Sequence, residues 1–206
     1  MERVAIFIDE GYLNKALESL GRPRLDYGRF IEAIQGDMPL LRTYYYYCMP
    51  YQSPTPTPEE RNMYQAKLSF VRYLSRLPRF ELRQGRLIKR GTEYVQRRVD
   101  IMLASDLVRL SVSGQIKEAV LVAGDSDFVP AIAIAKDAGV LVTLCYAPGA
   151  AHDELLDACD ELVPITRDLL EDCLRNAPPN PGAPMAVSGP TTAGSPVTAP
   201  GESLAR

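Results

Sequence analysis

The chain has one histidine, no tryptophan and only four cysteines in 206 residues, and each scarcity removes a class of site. Cys48, Cys145, Cys159 and Cys173 are widely spread, with no C-x-x-C pair, and the lone His152 cannot complete them. Neither a zinc centre nor a disulfide scaffold is expected; reduced, buried thiols are. An excess of one charge is also missing. The 23 Lys and Arg stand against 26 Asp and Glu, a net charge of −3, which leaves no global footprint for nucleic acid and room only for a local one. No apolar run approaches the ~20 residues that span a bilayer. The opening MERVAIFIDEGYL lacks a secretory apolar region with a small-residue cleavage site. A soluble cytoplasmic protein with no membrane partner is expected.

Several chemistries lack their motifs. No G-x-x-x-x-G-K-[ST] or G-x-G-x-x-G loop is present to cradle a nucleotide phosphate, and no serine-hydrolase elbow. A haloacid-dehalogenase-like phosphatase would carry a second acid two residues after its first, and here Gly11 follows Asp9 at that spacing.

What is present suits one domain and a tail. Composition changes at Asn176, beyond which APPNPGAPMAVSGPTTAGSPVTAPGESLAR holds Pro, Gly, Ala, Ser and Thr but no aromatic residue. Such a segment cannot bury enough apolar surface to offset its ordering entropy. The expectation is a folded domain over 1–175 and a disordered tail over 176–206.

Within the domain, VAIFID (Val4 to Asp9), LRTYYYYC (Leu41 to Cys48), AVLVAGD (Ala119 to Asp125) and VLVTLCY (Val140 to Tyr146) read as strands buried on both faces. Helices are predicted after the Asp26 cap through Ile34, from about Glu59 to Arg76, over Val99 to Val112, and over Phe128 to Ala138 with Gly139 as the stop. Strands alternating with helices predict an α/β fold: a mainly parallel central sheet with helices on both faces. PRFELRQGRLIKRG reads as a small basic β-hairpin insertion, turning at Gln84 and Gly85. In TYYYYC, alternation sends neighbouring tyrosines to opposite faces, so sheet packing is preferred to a base-stacking platform.

In an open α/β sheet, ligands bind beyond the carboxyl ends of the strands. Asp9 and Glu10 end one predicted strand, and Asp125 and Asp127 follow Gly124 at the end of another. Clustered carboxylates repel, and a hard divalent cation relieves them, although strand-end acids also serve as helix caps. Asp100 opens a helix and can join that crevice. Asp106 lies about 240° round the same helix and reads as a solvated or salt-bridged acid. From Arg79 to Arg98 the chain carries Arg79, Arg83, Arg86, Lys89, Arg90, Arg97 and Arg98 against Glu81 and Glu93, interleaved with Phe80 and Tyr94. Such a strip suits a phosphate backbone, and equally a solvated hairpin face. His152 reads as a surface residue at a helix start rather than a general base.

FIDEGYL, QRRVDIMLASDLVRL and AGDSDFVP, in that order, resemble the elements of the NYN domains, PIN-like nucleases that include the LabA-like proteins. The resemblance covers about residues 2–166. It implies a PIN-like sheet, an acidic crevice that binds Mg²⁺ or Mn²⁺, and hydrolysis of phosphodiester bonds, with single-stranded RNA as the expected partner. Carried over by position, the metal-binding and catalytic acids are Asp9, Asp100, Asp125 and Asp127, and the family's lysine falls on Arg97. Arg86, Lys89, Arg90, Arg97 and Arg98 are expected to bind nucleic acid, with Ser126 and Glu10 supporting the acids from behind. Two departures stand out: the family's usual Gly is Glu10, and the Asn of many members is Tyr12. They keep an alternative open, a degenerate module that binds RNA or a protein partner without cleavage. A small-molecule phosphohydrolase is a third reading, less suited to the basic strip. An apolar helix face would suit a homodimer or ordinary core equally.

Overall fold

Four largely apolar runs too short for buried helices form the middle of the sheet, and two mixed strands close its edges. The computed structural model describes residues 2–21, 23–90 and 93–174, with the backbone alone for 87–90 and 93–97. The expected tail, 176–206, lies outside the described residues, as do the side chains of Lys89, Arg90 and Arg97.

Strand β1 (Val4–Asp9) is central because all of its residues from Val4 to Ile8 are apolar and fully buried. It lies between β2 (Leu40–Tyr47) and β6 (Glu118–Val122), both parallel to it, with Phe7 opposite Tyr44 on one side and Leu121 on the other. The sheet continues outward to β3 (Phe80–Gln84) and to β7 (Leu141–Tyr146) and β8 (Glu161–Pro164). Its order is β3-β2-β1-β6-β7-β8, and all of its pairs are parallel. An all-parallel sheet must be covered on both faces.

One face carries α1 (Glu10–Ser19), α2 (Tyr27–Ile34), α3 (Pro58–Leu74) and α7 (Arg167–Leu174), packed on Ile6, Ile8, Tyr45, Tyr47 and Val120. The other carries α4 (Val99–Val112), α5 (Val129–Asp137) and α6 (Asp153–Ala158), packed on Phe7, Tyr44, Tyr46, Leu121 and Leu144. The four tyrosines of β2 therefore alternate between the two cores and are all buried, as sheet packing requires. Helix α4 faces its core with Val99, Leu103, Leu107 and Leu110. At this spacing, truncating Leu103 to Ala would cost about 2–5 kcal/mol.

Local signals set the ends. Asp26 caps α2 by accepting from Arg29 N. Thr57 and Glu60 form a reciprocal capping box on α3, with Pro58 at its first turn. Gly139, at φ 76°, ends α5.

The hairpin differs from its expected place. Gln84 and Gly85 do not turn the chain back: β3 pairs in parallel with β2, from Thr43 opposite Phe80 to Tyr47 opposite Gln84. Phe80 and Leu82 alternate onto the core that holds Tyr45 and Phe70, so the sheet edge takes this segment. The antiparallel pair is β4 (Arg86–Arg90) with β5 (Glu93–Arg97), in register from Arg86 opposite Arg97 to Arg90 opposite Glu93.

Candidate functional site

Successive connections run outward from β1 in one direction and from β6 in the other, so the order reverses between these two neighbours. A crevice opens at such a switch, beyond the carboxyl ends. Asp9 is the last residue of β1, and Asp125 follows β6 by three residues. Asp100 enters from the first turn of α4 on the same side.

Asp9 does two jobs at once. Its Oδ1 accepts from Gly11 N at 2.8 Å and from Tyr12 N at 3.4 Å, which caps α1 and fixes the carboxylate's direction. Burial pushes its pKa up; the bonds from Tyr12 and Gly11 oppose this, and the charges of Asp100 and Glu10 add to it, leaving it at about 6. Asp100 is raised too, by burial first and then by the charges of Asp125 and Asp127. It is the link of the cluster: its charge acts on Asp9, and the charges of Asp125 and Asp127 act on it. Asp125 is itself a cap, its Oδ1 accepting from Asp127 N at 3.0 Å at the start of the single 3₁₀ turn Ser126–Phe128. Cap and candidate ligand are thus the same groups. Ser126 sits half-buried between them.

These donors fit a hard cation in kind. They are carboxylate oxygens that repel one another, and burial makes Asp9 in particular costly to ionise unless a cation compensates it. Among the described residues no three His, Cys, Asp or Glu side chains close round one point as a complete protein cage would. A Mg²⁺-type ion requires only one or two carboxylates and fills its other positions with water and phosphate oxygens.

Glu10 lies elsewhere. Its Oε1 accepts from the Tyr45 hydroxyl at 2.9 Å and pairs with Lys67 of α3, and Tyr45 in turn meets the Tyr27 hydroxyl at 3.3 Å. Lys67 also stands 5.6 Å from the ring centres of Tyr47 and Phe70. The network is buried on the α1–α3 face, and Glu10 is only 5% exposed. Tyr12, the second departure, is buried beside Asp9, to whose carboxylate its backbone N–H donates. Its hydroxyl accepts from Ala147 N at 2.9 Å, which ties α1 to the loop after β7. Its ring packs so close to Gly124 that a Cβ there would collide with it and would come 2.8 Å from Ala150 O. His152, exposed at the position preceding α6, donates its backbone N–H to Gly124 O at 3.1 Å and makes no side-chain capping bond. Neither the Tyr12–Ala147 bond nor the Lys67–Glu10 pair was anticipated from sequence; the position of Tyr12 in the first helical turn after Asp9 was the one available signal.

The basic strip divides. Arg83 is taken by Asp106 and Glu81, each at 2.9 Å, and Asp106 also accepts from Arg109 at 2.8 Å and Tyr46 at 3.0 Å. Burial pushes Asp106 up, but the bonds from Arg109 and Arg83 outweigh it and hold its carboxyl below the usual range. Asp106 is therefore a salt-bridged acid, joining α4 to β2 and β3. Arg79 donates to Leu40 O at 2.6 Å. Arg86 and Arg98 remain exposed.

The model of the NYN domain matches residues 3–168, which includes every one of these acids. The chain belongs to the NYN domain family. NYN domains fall within the PIN-like nuclease superfamily, and the six-stranded parallel sheet agrees with that fold. A crystal structure of a protein of unknown function from Vibrio parahaemolyticus RIMD 2210633 is similar, with a TM-score of 0.61 and 21% identity over 81% of this chain and 94% of that one. That likeness is one of fold. No curated protein gives a significant match. Among the described residues no helix is long and apolar enough to cross a membrane.

Proposed function

We propose that this NYN domain is a metal-dependent nuclease that hydrolyses phosphodiester bonds in RNA. One observation supports the reading: carboxylates from three separate segments, at the ends of β1 and β6 and the first turn of α4, lie near enough to repel one another, and burial with this repulsion raises Asp9 and Asp100. Asp9, Asp100, Asp125 and Asp127 would hold Mg²⁺ or Mn²⁺, directly or through water. Bound there, the ion would lower the pKa of an attacking water and stabilise the leaving oxygen.

The chain's own groups supply orientation. Gly11 and Tyr12 N–H groups aim Asp9, and the Asp127 N–H aims Asp125. The Ser126 hydroxyl, half-buried between two acids, can orient a water. Arg97 and Arg98 stand three and two residues before Asp100 in the chain and would neutralise phosphate charge. Tyr12 packs tightly against Gly124, just before Asp125, and so fixes the backbone that presents this acid. Tyr12 is also the observation behind a second reading, a module that holds RNA without cutting it, because its ring occupies space beside Gly124 where many members carry Asn.

The test incubates the full chain and its Asp125→Asn, Asp127→Asn double variant with end-labelled single-stranded RNA and DNA, in Mn²⁺, Mg²⁺ or EDTA. Cleavage that vanishes in EDTA and in the variant is expected, with RNA preferred. Binding without cleavage in either metal would transfer the assignment to the second reading.

A further inference from the structure

Helix α3 is longer than the core it covers. It connects the parallel strands β2 and β3 and so runs back between them, which puts its N-terminal end at the carboxyl ends of the strands. One stripe of the helix, Met63, Lys67, Phe70 and Leu74, has the i, i+4, i+7, i+11 spacing of a single face. Exposure along it rises in steps toward the N-terminus. Leu74 is 0% and Phe70 4% exposed, the Lys67 side chain 12%, and Met63 51%. The lower members lie on the sheet. Lys67 is level with the sheet's upper end, since it pairs with Glu10, the first residue of α1, and stands near the ring of Tyr47, the last residue of β2. Met63 is one turn higher, about 6 Å along the axis.

Met63 is thus exposed for a different reason from the helix's outer face. That face carries Arg61, Gln65, Ser69 and Arg72, all exposed and all polar, as solvent requires. Met63 shares the inward side of Lys67 and Phe70, at a height where the sheet and α1 have ended. The rim of the acidic crevice lies on that side: Lys67, one turn below, holds Glu10, and Asp9 is the residue before it. Tyr64, the next residue of α3, is half-buried. The overhanging turn is also firmly held. Lys67 fastens it to α1, and Glu60 accepts from the Ser53 hydroxyl at 2.6 Å as well as closing the capping box with Thr57. Apolar surface held out beside a polar crevice is a cost that an apolar ligand face removes. Single-stranded RNA carries such a face on every unpaired base, and a flexible, polarisable thioether suits an aromatic ring of any identity.

We propose that Met63, flanked by Tyr64, is a ledge on which an unpaired base of single-stranded RNA rests while the strand's backbone enters the acidic crevice. The ledge rests on the RNA reading of that crevice, but it needs neither metal nor cleavage. It gives the two parts of a nucleotide to two sides of the site, the backbone to the acids and the base to the overhanging turn of α3. Strand preference follows from the same contact, because a base stacked in a duplex has no free face to offer. Sequence preference should be small, since every base has a π-face.

The test measures binding by the full chain, in EDTA and at several salt concentrations, of three fluorescent ligands: a mixed-sequence single-stranded RNA, an abasic strand of the same length, and an RNA duplex. Wild type, Met63→Gln and Met63→Leu are compared, with thermal unfolding and sedimentation on the same samples. Gln keeps the length of the side chain at an exposed position, so the melting temperature should not change. Met63→Gln should bind the RNA strand roughly fivefold more weakly, the low end of what loss of a stacking side chain costs. It should bind the abasic strand and the duplex as wild type does, with an unaltered salt slope, because no phosphate contact is lost. Met63→Leu should keep wild-type affinity throughout. Equal affinity of wild type for the RNA and abasic strands, wild-type RNA affinity in Met63→Gln, or an equal loss on all three ligands would overturn the ledge. So would the absence of RNA binding, or a wild-type dimer that Met63→Gln dissolves, which would give the face to a second copy of the chain. Cleavage with Mn²⁺ separates this from the nuclease reading. Base-dependent binding that needs Met63, without cleavage, keeps the ledge and removes the nuclease; cleavage with a KM unchanged in Met63→Gln keeps the nuclease and removes the ledge.

Discussion

Replacing Asp9 with Asn should make the metal-free protein more stable at alkaline pH. Asp9 is raised from 3.8 to about 6, so the folded state holds its proton more tightly than the unfolded chain does. The stabilisation from that proton is complete below the unfolded value near 3.8 and is lost as pH rises through 6. By pH 8 the ionised carboxylate costs the fold about 3 kcal/mol. Asn keeps the oxygen that caps α1 through Gly11 and Tyr12 but carries no charge. Its amide hydrogens face a crevice rich in acceptors, and an imperfect fit would return about 1 kcal/mol of the gain. The expected balance at pH 8 is about 2 kcal/mol in favour of Asn, or about 4–8 °C in melting temperature for a domain of this size. Urea unfolding in EDTA at pH 5 and pH 8 reads it. The gain should be small at pH 5 and full at pH 8, and Mg²⁺ or Mn²⁺ should stabilise wild type more than the variant, because only an intact cluster binds the ion tightly. An equal gain at both pH values, or no gain at pH 8, would refute the placement of Asp9 among repelling acids in a desolvated crevice.

Glu10→Gly restores the residue usual in the family but strips Lys67 of its partner in a site where that side chain is 12% exposed. The loss should be about 3–5 kcal/mol by denaturant unfolding, and Lys67→Met added to it should recover most of this; a single variant as stable as wild type would contradict the pair. Gly124→Ala inserts a Cβ against the Tyr12 ring and 2.8 Å from Ala150 O. It should cost about 1–3 kcal/mol and lower cleavage, with Tyr12→Ala in the same chain restoring stability in part. Additive losses in that double variant would argue against the contact.

The sheet was largely legible because its central strands are continuous apolar runs, and Val4–Asp9 ends where the run meets its acid. Helix α1 was not, since Leu13, Ala16 and Leu17 form only a narrow stripe among Asn14, Lys15 and Glu18. The hairpin was misplaced by seven residues because Gln-Gly is a good turn signal locally, while the pull of Phe80 and Leu82 toward Tyr45 and Phe70 is tertiary. Acids at strand ends could be read from position alone. The bonds that sort their neighbours could not: Tyr12 meets Ala147 across 135 residues, and Glu10 meets Lys67 across 57.

Those two bonds separate departures that look alike in sequence. Glu10 and Tyr12 both follow Asp9 within one helical turn, so either can be suspected of altering the first acid's site. The chain changes from strand to helix at Asp9, however, and that change sends the two side chains in different directions. Glu10 descends into the α1–α3 core, where Tyr45 and Lys67 satisfy it. It reaches Asp9 only as a weak repulsion, the smallest of the effects that raise it, and Lys67 offsets its charge. Tyr12 stays beside the acid and reaches from its backbone N–H on Asp9 to its hydroxyl on Ala147 N. Whatever distinguishes this chain's chemistry from that of members with Asn at this position must therefore be sought in the packing of Tyr12 against Gly124. The acids at Asp9, Asp100, Asp125 and Asp127 remain the proposed ion-binding groups, and Glu10 belongs to the core.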